Sequence, residues 1–399
     1  MLTAIQEGDR PSSHTSLSPA PSLKARSASD TGSFEVLIAG AGPAGVEAAL
    51  TLQRIAGDRV AVTIVAPEER FAHLPPAVLS PFAVGGQRLA LDRLTGACLR
   101  RGIIVSVDRD AREVQLDDGE ILGYDALLIA VGGIQRSPYP RALAFGTPDS
   151  EERMHGLIQD LEDGYIKRVA FVVPPAESWP LPLYELALLT AARAFDMCVD
   201  VELTLVTSEP SPLAVFGEAV SDEVTGLLAK AGVTVRCGVD VAAMPQANVL
   251  DLRPRFALLE VDRVVTVPEL IGPAIHGLPH DAAGFLPVDA HGRVTGALGV
   301  YAAGDATDFE IKQGGIACQQ ADAAAETIAA CAGVAIDPQP FSPVLRGLLQ
   351  TERDALSLQR VLGSERSGEG HDGDVDPPRT KFVGRELSRL LRDVPVRGG

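Results

Sequence analysis

Paired cysteines are absent from this chain of 399 residues. Its five cysteines show neither a C-x-x-C nor a C-x4-C spacing: Cys98, Cys198, Cys237, Cys318 and Cys331. The lack of these two spacings excludes the simplest redox-active disulfide and a cysteine-based zinc site, so we predict no bound metal. An odd number of unpaired cysteines is typical of proteins in the reducing cytoplasm, which is the location we expect.

Basic residues and long apolar runs are also scarce. The 35 Lys and Arg residues are outnumbered by 53 Asp and Glu residues, which gives a net charge of −18. A nucleic-acid partner requires a basic face, so we predict no such partner. No apolar run approaches the ~18 residues of a membrane-spanning helix, so we predict no transmembrane segment.

The first 33 residues are rich in Ser, Pro, Thr and Ala and lack the apolar stretch of a secretory signal. We interpret 1–33 as a disordered leader, with a targeting peptide as the alternative. Hydrophobic residues make up 46% of the chain. A chain of this length and composition can fill two domains.

A glycine motif follows the first apolar run. Residues 36–39 read as a buried strand, and the G-x-G-x-x-G turn that follows contains Gly40, Gly42 and Gly45. Residues 46–52 read as the next helix, and this strand–turn–helix context makes the motif specific for a dinucleotide. The first glycine allows the tight turn, the second lets a pyrophosphate approach, and the third permits close packing of helix and strand. The helix N-terminus directs N–H groups at the phosphates.

Two similar strand–helix–strand units follow each other along the chain. The first has strands at 35–39 and 60–66, a helix at 92–101, and a buried strand at 124–133 that ends in Gly132. The second unit has these predicted elements: strands at 169–173, 201–206 and 233–236, helices at 182–195 and 217–231, and further strands of the same sheet at 258–261 and 263–265. The chain then returns to the first pattern, with a strand that ends in Gly304 and Asp305 and an Ala-rich helix at 314–332.

This order predicts an α/β fold of two Rossmann-like three-layer domains, with the second inserted in the first. We place the first domain at 34–145 and 285–335, and the inserted domain at 146–284. Residues 336–399 form a short C-terminal extension, in which the polar segment 364–379 is predicted to be disordered.

The three glycine-containing segments at Gly40–Gly45, Ala130–Gly133 and Ala303–Asp305 resemble, in their order, those of the FAD-dependent pyridine nucleotide–disulfide oxidoreductase superfamily. The resemblance covers roughly 34–335. It implies that the first unit binds FAD and that Asp305 holds the ribityl or pyrophosphate part of the cofactor.

Two further segments are similar to the branch of sulfide:quinone oxidoreductase and type II NADH dehydrogenase. Residues 71–82 resemble the loop that passes near the flavin there, and 311–317 resemble the Lys-x-Gly segment that opens the last helix. The resemblance implies that Lys312 and the N–H groups of Gly315 and Ile316 stabilise the negative charge of the reduced flavin.

Two positions depart from the family pattern. The acidic residue for the adenosine ribose is missing from the end of the second strand, Ala66, and we assign this role to Glu68. The turn after Val173 contains no glycine and no cysteine before Tyr184, and it is interrupted by four prolines: Pro174, Pro175, Pro180 and Pro182. A pyrophosphate cannot approach such a turn closely, so we expect weak NAD(P)H binding.

We therefore expect an FAD-dependent oxidoreductase with non-covalent FAD, a small-molecule electron donor and an unidentified, quinone-like acceptor. One alternative is an NAD(P)H-dependent flavoprotein whose second unit holds the ribose through Glu209. Another is a degenerate flavin-binding protein that acts as an interaction module. The amphipathic segment 382–393 either docks on its own domain or makes peripheral membrane contact. The sequence leaves the oligomeric state open.

Overall fold

A computed structural model describes residues 33–73, 77–82, 87–91, 95–175, 178–246, 248–254, 257–351, 354–363 and 384–392. The predicted disordered regions, the leader up to residue 32 and the segment 364–379, lie outside these ranges. Across the described ranges, every helix is too short or too polar to cross a bilayer.

The first domain is built on a sheet of five parallel strands. In spatial order these are Val300–Ala302 (β20), Ala126–Ile129 (β9), Phe34–Ala39 (β1), Val60–Ala66 (β2) and Cys98–Arg101 (β5). Strand β1 lies in the middle and is almost entirely buried. A parallel sheet covered on both faces needs such continuous apolar strands, which is why 36–39 contains only apolar residues.

Two helices cover one face of this sheet, Pro43–Ala56 (α1) and Gly314–Cys331 (α5). Their facing surfaces consist largely of alanines, including Ala48, Ala321 and Ala324, so the two helices pack closely. The other face is covered by an antiparallel sheet of three strands: Ile104–Asp108 (β6), Glu113–Leu116 (β7) and Ile121–Gly123 (β8). The result is the three-layer arrangement that the sequence predicts.

The second domain repeats this plan. Its sheet has five parallel strands, in the spatial order Leu143–Ala144 (β11), Arg263–Thr266 (β18), Arg168–Val172 (β12), Glu202–Val206 (β13) and Thr234–Arg236 (β14). Helices cover one face: Ser150–Glu162 (α2), Leu181–Asp196 (α3) and Glu218–Lys230 (α4). The opposite face carries the antiparallel strands Asp240–Gln246 (β15), Val249–Arg253 (β16) and Ala257–Glu260 (β17).

Three short antiparallel pairs and a terminal helix complete the described fold. Ile134–Arg136 (β10) and Glu269–Ile271 (β19) pair where the chain passes between the domains. Arg70–His73 (β3) pairs with Gln87–Ala90 (β4). The hairpin of Val344–Gln350 (β21) and Ala355–Val361 (β22) lies against α3 and α5. The chain ends, within the described residues, in the helix Leu387–Arg392 (α6).

The structure corrects two secondary-structure predictions. The predicted helix at 92–101 is wrong at its C-terminal end, because Cys98–Arg101 forms an edge strand that pairs with β2 from Thr63 to Ala66. The predicted strand at 258–261 exists as β17, but it belongs to the antiparallel layer and not to the main sheet. Burial alternates along β17, as in a strand with one face in solvent. No sign of this alternation appears in the run of apolar residues in the sequence.

We expect Gly45→Ala to destabilise the first domain. A Cβ atom on Gly45 would lie 2.0 Å from the carbonyl oxygen of Gly40, so the turn between β1 and α1 would have to open. Overpacking of this kind costs about 1–3 kcal/mol of unfolding free energy. Urea denaturation measures the change. Gly42→Ala is the matched control, because a Cβ there has no heavy atom within 4 Å and should cost under ~1 kcal/mol. Equal losses in the two variants would contradict the packing argument.

Candidate functional site

The glycine motif encloses an open space at the carboxyl end of β1. Gly40 has φ +104°, and a Cβ atom on it would lie 2.3 Å from the carbonyl oxygen of Ala130 at the end of the neighbouring strand. Gly45 is in contact with the backbone of Gly40, as described above. Gly42 is different, because a Cβ there would meet nothing within 4 Å. Packing therefore explains the first and third glycines, whereas the second faces free room.

The first turn of α1 begins in this open space. Gly42 is the N-cap residue and provides no side-chain cap, and Pro43 occupies the first turn. The positive end of the helix dipole and the N–H groups of Ala44 and Gly45 therefore point toward the space beside Gly42. This is the geometry in which helix termini bind phosphate. The strand order supports it, because β1 lies between β2 and β9, where chain connections run in opposite directions.

A second wall of the space is the turn after β20. Gly304 has φ +78°, and its N–H donates to the side-chain carbonyl of Gln320 over 2.8 Å. A Cβ on Gly304 would be 3.2 Å from the Cβ of Ala317 and 3.3 Å from that of Ala44. The turn thus meets the beginnings of α1 and α5 together. Gln320 was not predicted, although a lone buried amide in an Ala-rich helix is a signal for such a bond.

Asp305 and Lys312 lie near the same turn, and the charge of Lys312 acts on the Asp305 carboxyl. Burial raises the pKa of Asp305, and the positive charge of Lys312 lowers it, with burial dominating. The Lys312 side chain is buried, its Nζ donates to the carbonyl oxygen of Thr307 over 2.6 Å, and it lies 3.7 Å from the centroid of the Phe285 ring. The predicted lysine is therefore fixed by the turn, with its ammonium group in an environment of low dielectric constant.

The beginning of α5 differs from the prediction in one respect. The side-chain oxygen of Gln313 caps the helix and accepts the N–H of Ile316 over 2.9 Å. The N–H of Ile316 therefore has a partner within the protein, whereas the sequence assigned it to a cofactor. A Cβ on Gly315 would lie 2.9 Å from the same Gln313 oxygen, so this glycine makes room for the cap. Glutamine is an uncommon N-cap residue, and no sequence signal marked Gln313.

The two other predicted binding residues lie at the same edge of the sheet. Gly132, after β9, has φ +76° and open space at its Cβ position. Glu68, beyond the end of β2, is exposed to solvent. The structure thus brings Gly42, Gly132, Gly304 and Asp305 to one edge, and the role of Glu68 toward a ribose stays a prediction.

The corresponding edge of the second domain is filled by protein groups. Glu209, the residue considered as a ribose ligand, accepts hydrogen bonds from the hydroxyls of Tyr184 over 2.6 Å and of Thr207 over 3.0 Å. Burial raises the pKa of Glu209, and these two hydroxyls partly oppose the shift. The Tyr184 hydroxyl also accepts the N–H of Leu213 over 3.3 Å. Glu209 is therefore an internal partner of Tyr184.

The hairpin β21–β22 lies on the beginning of α3. The N–H of Gln350 donates to the buried carboxyl of Glu185 over 2.9 Å. A Cβ on Gly347 would be 3.0 Å from the Phe216 ring and 3.3 Å from Leu181, the first residue of α3. In a dinucleotide-binding unit the pyrophosphate lies at this helix turn. The hairpin thus occupies the vicinity of the nucleotide position in the second domain.

All five cysteines have free thiols, and the pKa of one is strongly perturbed. Burial, reinforced by the carboxyls of Glu47 and Asp322, raises the pKa of the Cys318 thiol well above its usual value. A protonated, buried thiol is a poor nucleophile, so Cys318 acts as a small core residue. In the ranges that the structure covers, no three His, Cys, Asp or Glu side chains are grouped closely enough to hold a metal ion.

The comparisons with known proteins agree with this geometry. The sequence matches the model of the Pyridine nucleotide-disulphide oxidoreductase family over residues 34–169 and 186–323. The unmatched stretch 170–185 contains the glycine-free turn and Tyr184. A comparison with curated protein sequences gave no match.

Several solved structures share the fold. The sulfide:quinone oxidoreductase of Aquifex aeolicus superposes with a TM-score of 0.72 at 17% identity, covering 82% of this chain and 87% of that one. Putidaredoxin reductase, in its covalent complex with putidaredoxin, gives 0.61 at 21% identity, covering 82% and 81%. The ferredoxin reductase for the CYP199A2 system of Rhodopseudomonas palustris gives 0.58 at 23% identity, covering 78% and 79%. These matches confirm the predicted fold.

We expect Tyr184→Phe to destabilise the protein more at pH 8 than at pH 5. The folded state raises the pKa of Glu209, so its contribution to stability is present at low pH and is lost as the pH rises through the folded pKa. Without the Tyr184 hydroxyl this pKa rises further, and the ionised carboxylate loses a donor worth about 1–3 kcal/mol.

Urea denaturation at the two pH values measures this difference. Thr190→Val is the matched control, since the Thr190 hydroxyl is on the same helix, is buried, and has no hydrogen-bond partner in the described part of the structure. A loss for Tyr184→Phe that is the same at both pH values would refute the assignment.

Proposed function

The chain belongs to the pyridine nucleotide-disulphide oxidoreductase family, and from this premise we propose that it is an FAD-dependent oxidoreductase that delivers two electrons to a quinone-like acceptor. The observation that carries the proposal is the open space at Gly42, bounded by the first turn of α1 and by the Gly304–Asp305 turn. A nucleotide pyrophosphate would fit that space, because backbone N–H groups and a helix dipole face it and no atom of the described residues lies within 4 Å of a Cβ placed on Gly42.

The residues of the first domain would hold non-covalent FAD in an extended form. The N–H groups of Ala44 and Gly45 bind the pyrophosphate, Asp305 binds the ribityl chain, and Glu68 binds the adenosine ribose. Bound FAD supplies the two-electron chemistry, and the protein supplies position and electrostatics. Support for Asp305 comes from its burial beside Lys312, which places a hydrogen-bonding carboxyl at the edge of the open space.

Lys312 stabilises negative charge on the cofactor. Lys312 is 4% exposed, and its ammonium group has a fixed position, since it is bonded to the Thr307 carbonyl and lies over the Phe285 ring. A fixed cation in a region of low dielectric constant acts on a developing negative charge without reorganisation. The positive end of the α5 dipole adds to this potential.

The acceptor is proposed to be apolar, because one apolar cluster surrounds the beginning of α5. Ile316 belongs to it, together with Val78, Leu181 and Leu349 from three other parts of the chain. Trp179, in the turn before α3, packs against the same cluster and meets the Phe216 ring edge-on at 6.0 Å. Of these residues only Trp179 is partly exposed, and a planar apolar quinone is the chemical class that its ring would accept.

NAD(P)H is proposed to be a poor donor. In the second domain the turn before α3 has prolines in place of glycines, Glu209 is bonded to Tyr184, and the hairpin β21–β22 covers the first turn of α3. Each charge-assisted bond that a pyrophosphate loses there costs about 1.5–3 kcal/mol. The loss of several such bonds weakens binding by orders of magnitude.

The purified protein should be yellow and release FAD, not FMN, on denaturation. Gly42→Val should fold with near-normal stability and fail to bind FAD, because its side chain would occupy the open space that Gly42 leaves. The measurement is FAD titration of cofactor-free protein. Gly226→Val is the matched control and should bind FAD normally. Gly226 is an exposed residue of α4, and a Cβ there also meets nothing within 4 Å. Undiminished FAD binding by Gly42→Val would reject the proposed site.

Anaerobic stopped-flow mixing with NADH, NADPH and sulfide, each followed at the oxidised-flavin band, identifies the donor. We expect slow bleaching or none with both nicotinamides. Fast, saturable bleaching at micromolar NADH or NADPH would overturn this expectation and favour the nicotinamide-dependent alternative. Bleaching by sulfide would assign the donor despite the missing cysteine before Tyr184. No bleaching by any of the three would leave either another donor or a non-catalytic flavoprotein.

A further inference from the structure

Residues 384–392, which we call the C-terminal strap, pack on α1 and α5. Both helices begin near the open space beside Gly42, which we call the cofactor space. Leu387 and Leu391 are 0% and 5% exposed. They pack in one cluster with Val46 of α1, Phe71 of β3 and Cys318 of α5. Leu387 and Leu391, two apolar residues of the predicted helix at 382–393, are therefore buried against their own domain, which favours the docking alternative of the sequence analysis.

A buried carboxyl on α1 anchors the strap. Glu47 is 0% exposed, and its two oxygens accept the N–H groups of Glu386 and Leu387, each over 2.7 Å. A Cβ on Gly384 would be 2.5 Å from Glu47 Oε2, so the strap passes directly over this carboxyl. The pKa of Glu47 is raised to about 7. Burial is the largest cause and the charge of Asp322 the second, and the N–H groups of Glu386 and Leu387 partly oppose the rise.

The strap also binds α5 and joins it to α1. Arg385 forms an ion pair with Glu326 over 2.9 Å and approaches Asp322 at 3.6 Å. Asp322 in turn accepts the hydroxyl of Thr51 on α1 over 2.7 Å. On the other side of the strap, Arg54 of α1 pairs with Glu386 over 2.7 Å. One network of charges thus connects the strap with both helices.

These two helices begin at the cofactor space. Ala44 of α1 and Ala317 of α5 are both next to Gly304. Glu47 lies about one turn after Ala44, and Cys318 directly follows Ala317. A change in the packing beneath the strap would therefore act on the first turns of α1 and α5. Hydrogen bonds weaken when the donor and acceptor leave their preferred distance and angle, so a shift of these turns would weaken the bonds from their N–H groups to a bound phosphate.

We propose that the C-terminal strap is a positioning element for FAD, with Glu47 as its positioning residue. The inference rests on the proposed binding of FAD in the first domain. Glu47 and Leu387 hold α1 and α5 at the spacing that the cofactor requires, without touching it. Coupling between two sites is reciprocal, so FAD bound at one end of these helices strengthens the docking of the strap at the other.

Hydrogen exchange of the full-length wild-type protein tests the reciprocal effect. FAD added to cofactor-free protein should slow exchange of the N–H groups of the strap, including those of Glu386 and Leu387, although none of them lies at the cofactor space. A purely structural strap would keep its exchange rates. Unchanged rates in protein that has bound FAD would overturn the proposal and leave the proposed function intact.

FAD titration of two full-length variants tests the forward effect. Glu47→Gln puts an amide donor against one of the two strap N–H groups, and Leu387→Ala removes the buried anchor of the helix. Each should raise the dissociation constant of FAD by about tenfold or more, which corresponds to ~1.4 kcal/mol. Arg389→Ala, on the same helix and 59% exposed, is the matched control and should bind FAD as the wild type does.

Circular dichroism of the cofactor-free variants establishes that they are folded. Where Glu47→Gln does not fold, Leu387→Ala and the exchange measurement on the wild type decide the question. Wild-type affinity in the folded variants would refute the positioning role. If the wild type itself binds no FAD, this proposal and the proposed function fail together, which separates that result from failure of the strap alone.

Discussion

The first domain depends on the close approach of backbone to backbone at the carboxyl end of β1. Gly45 lies against the carbonyl of Gly40, and Gly40 lies against that of Ala130, at distances that leave no room for a Cβ atom. These contacts fix where α1 begins and therefore where its dipole points. The turn at Gly304, which follows β20, meets the first turn of α1 at the same edge of the sheet. The cofactor space is what remains between these fixed backbone segments.

Much of this arrangement could be predicted because local sequence and tertiary contact agree there. A short apolar run such as 36–39, followed by a glycine turn, is typical of a buried strand in a parallel sheet. Glycines at the G-x-G-x-x-G spacing between a strand and a helix are typical of a dinucleotide-binding turn. The edge strand Cys98–Arg101 could not be predicted in this way. Its side chains show no alternation of apolar and polar residues, and its extended conformation comes from pairing with β2.

The candidate site was predictable in its backbone parts and less so in its side chains. Glycines that must be glycines, such as Gly40 and Gly45, can be identified from a pattern. The partners of Lys312 could not, because Phe285 and the Thr307 carbonyl reach it only through the folded turn. The family resemblance assigns the amide of Ile316 to a cofactor, whereas the structure bonds it to Gln313, a residue type that seldom caps a helix.

The two domains share a plan but differ at the turn where the first helix begins. Both have a central parallel strand followed by a helix, and both are covered by helices on one face and an antiparallel sheet on the other. In the first domain the helix begins at Gly42, beside empty space. In the second it begins after Pro180, under a hairpin whose Gly347 lies against Leu181.

The acidic side chain at the second domain's strand end has its partners within the protein. Glu209 is bonded to Tyr184 on the helix that a nucleotide would approach. A carboxyl that is buried and already hydrogen-bonded gains little from a ribose, because binding would exchange one hydrogen bond for another. The second domain has therefore become a packing partner of the C-terminal hairpin, and the same hairpin contacts α5 through Gln313 and Gln319. The hairpin that covers the beginning of α3 in the second domain is thus also hydrogen-bonded to the beginning of α5 in the first.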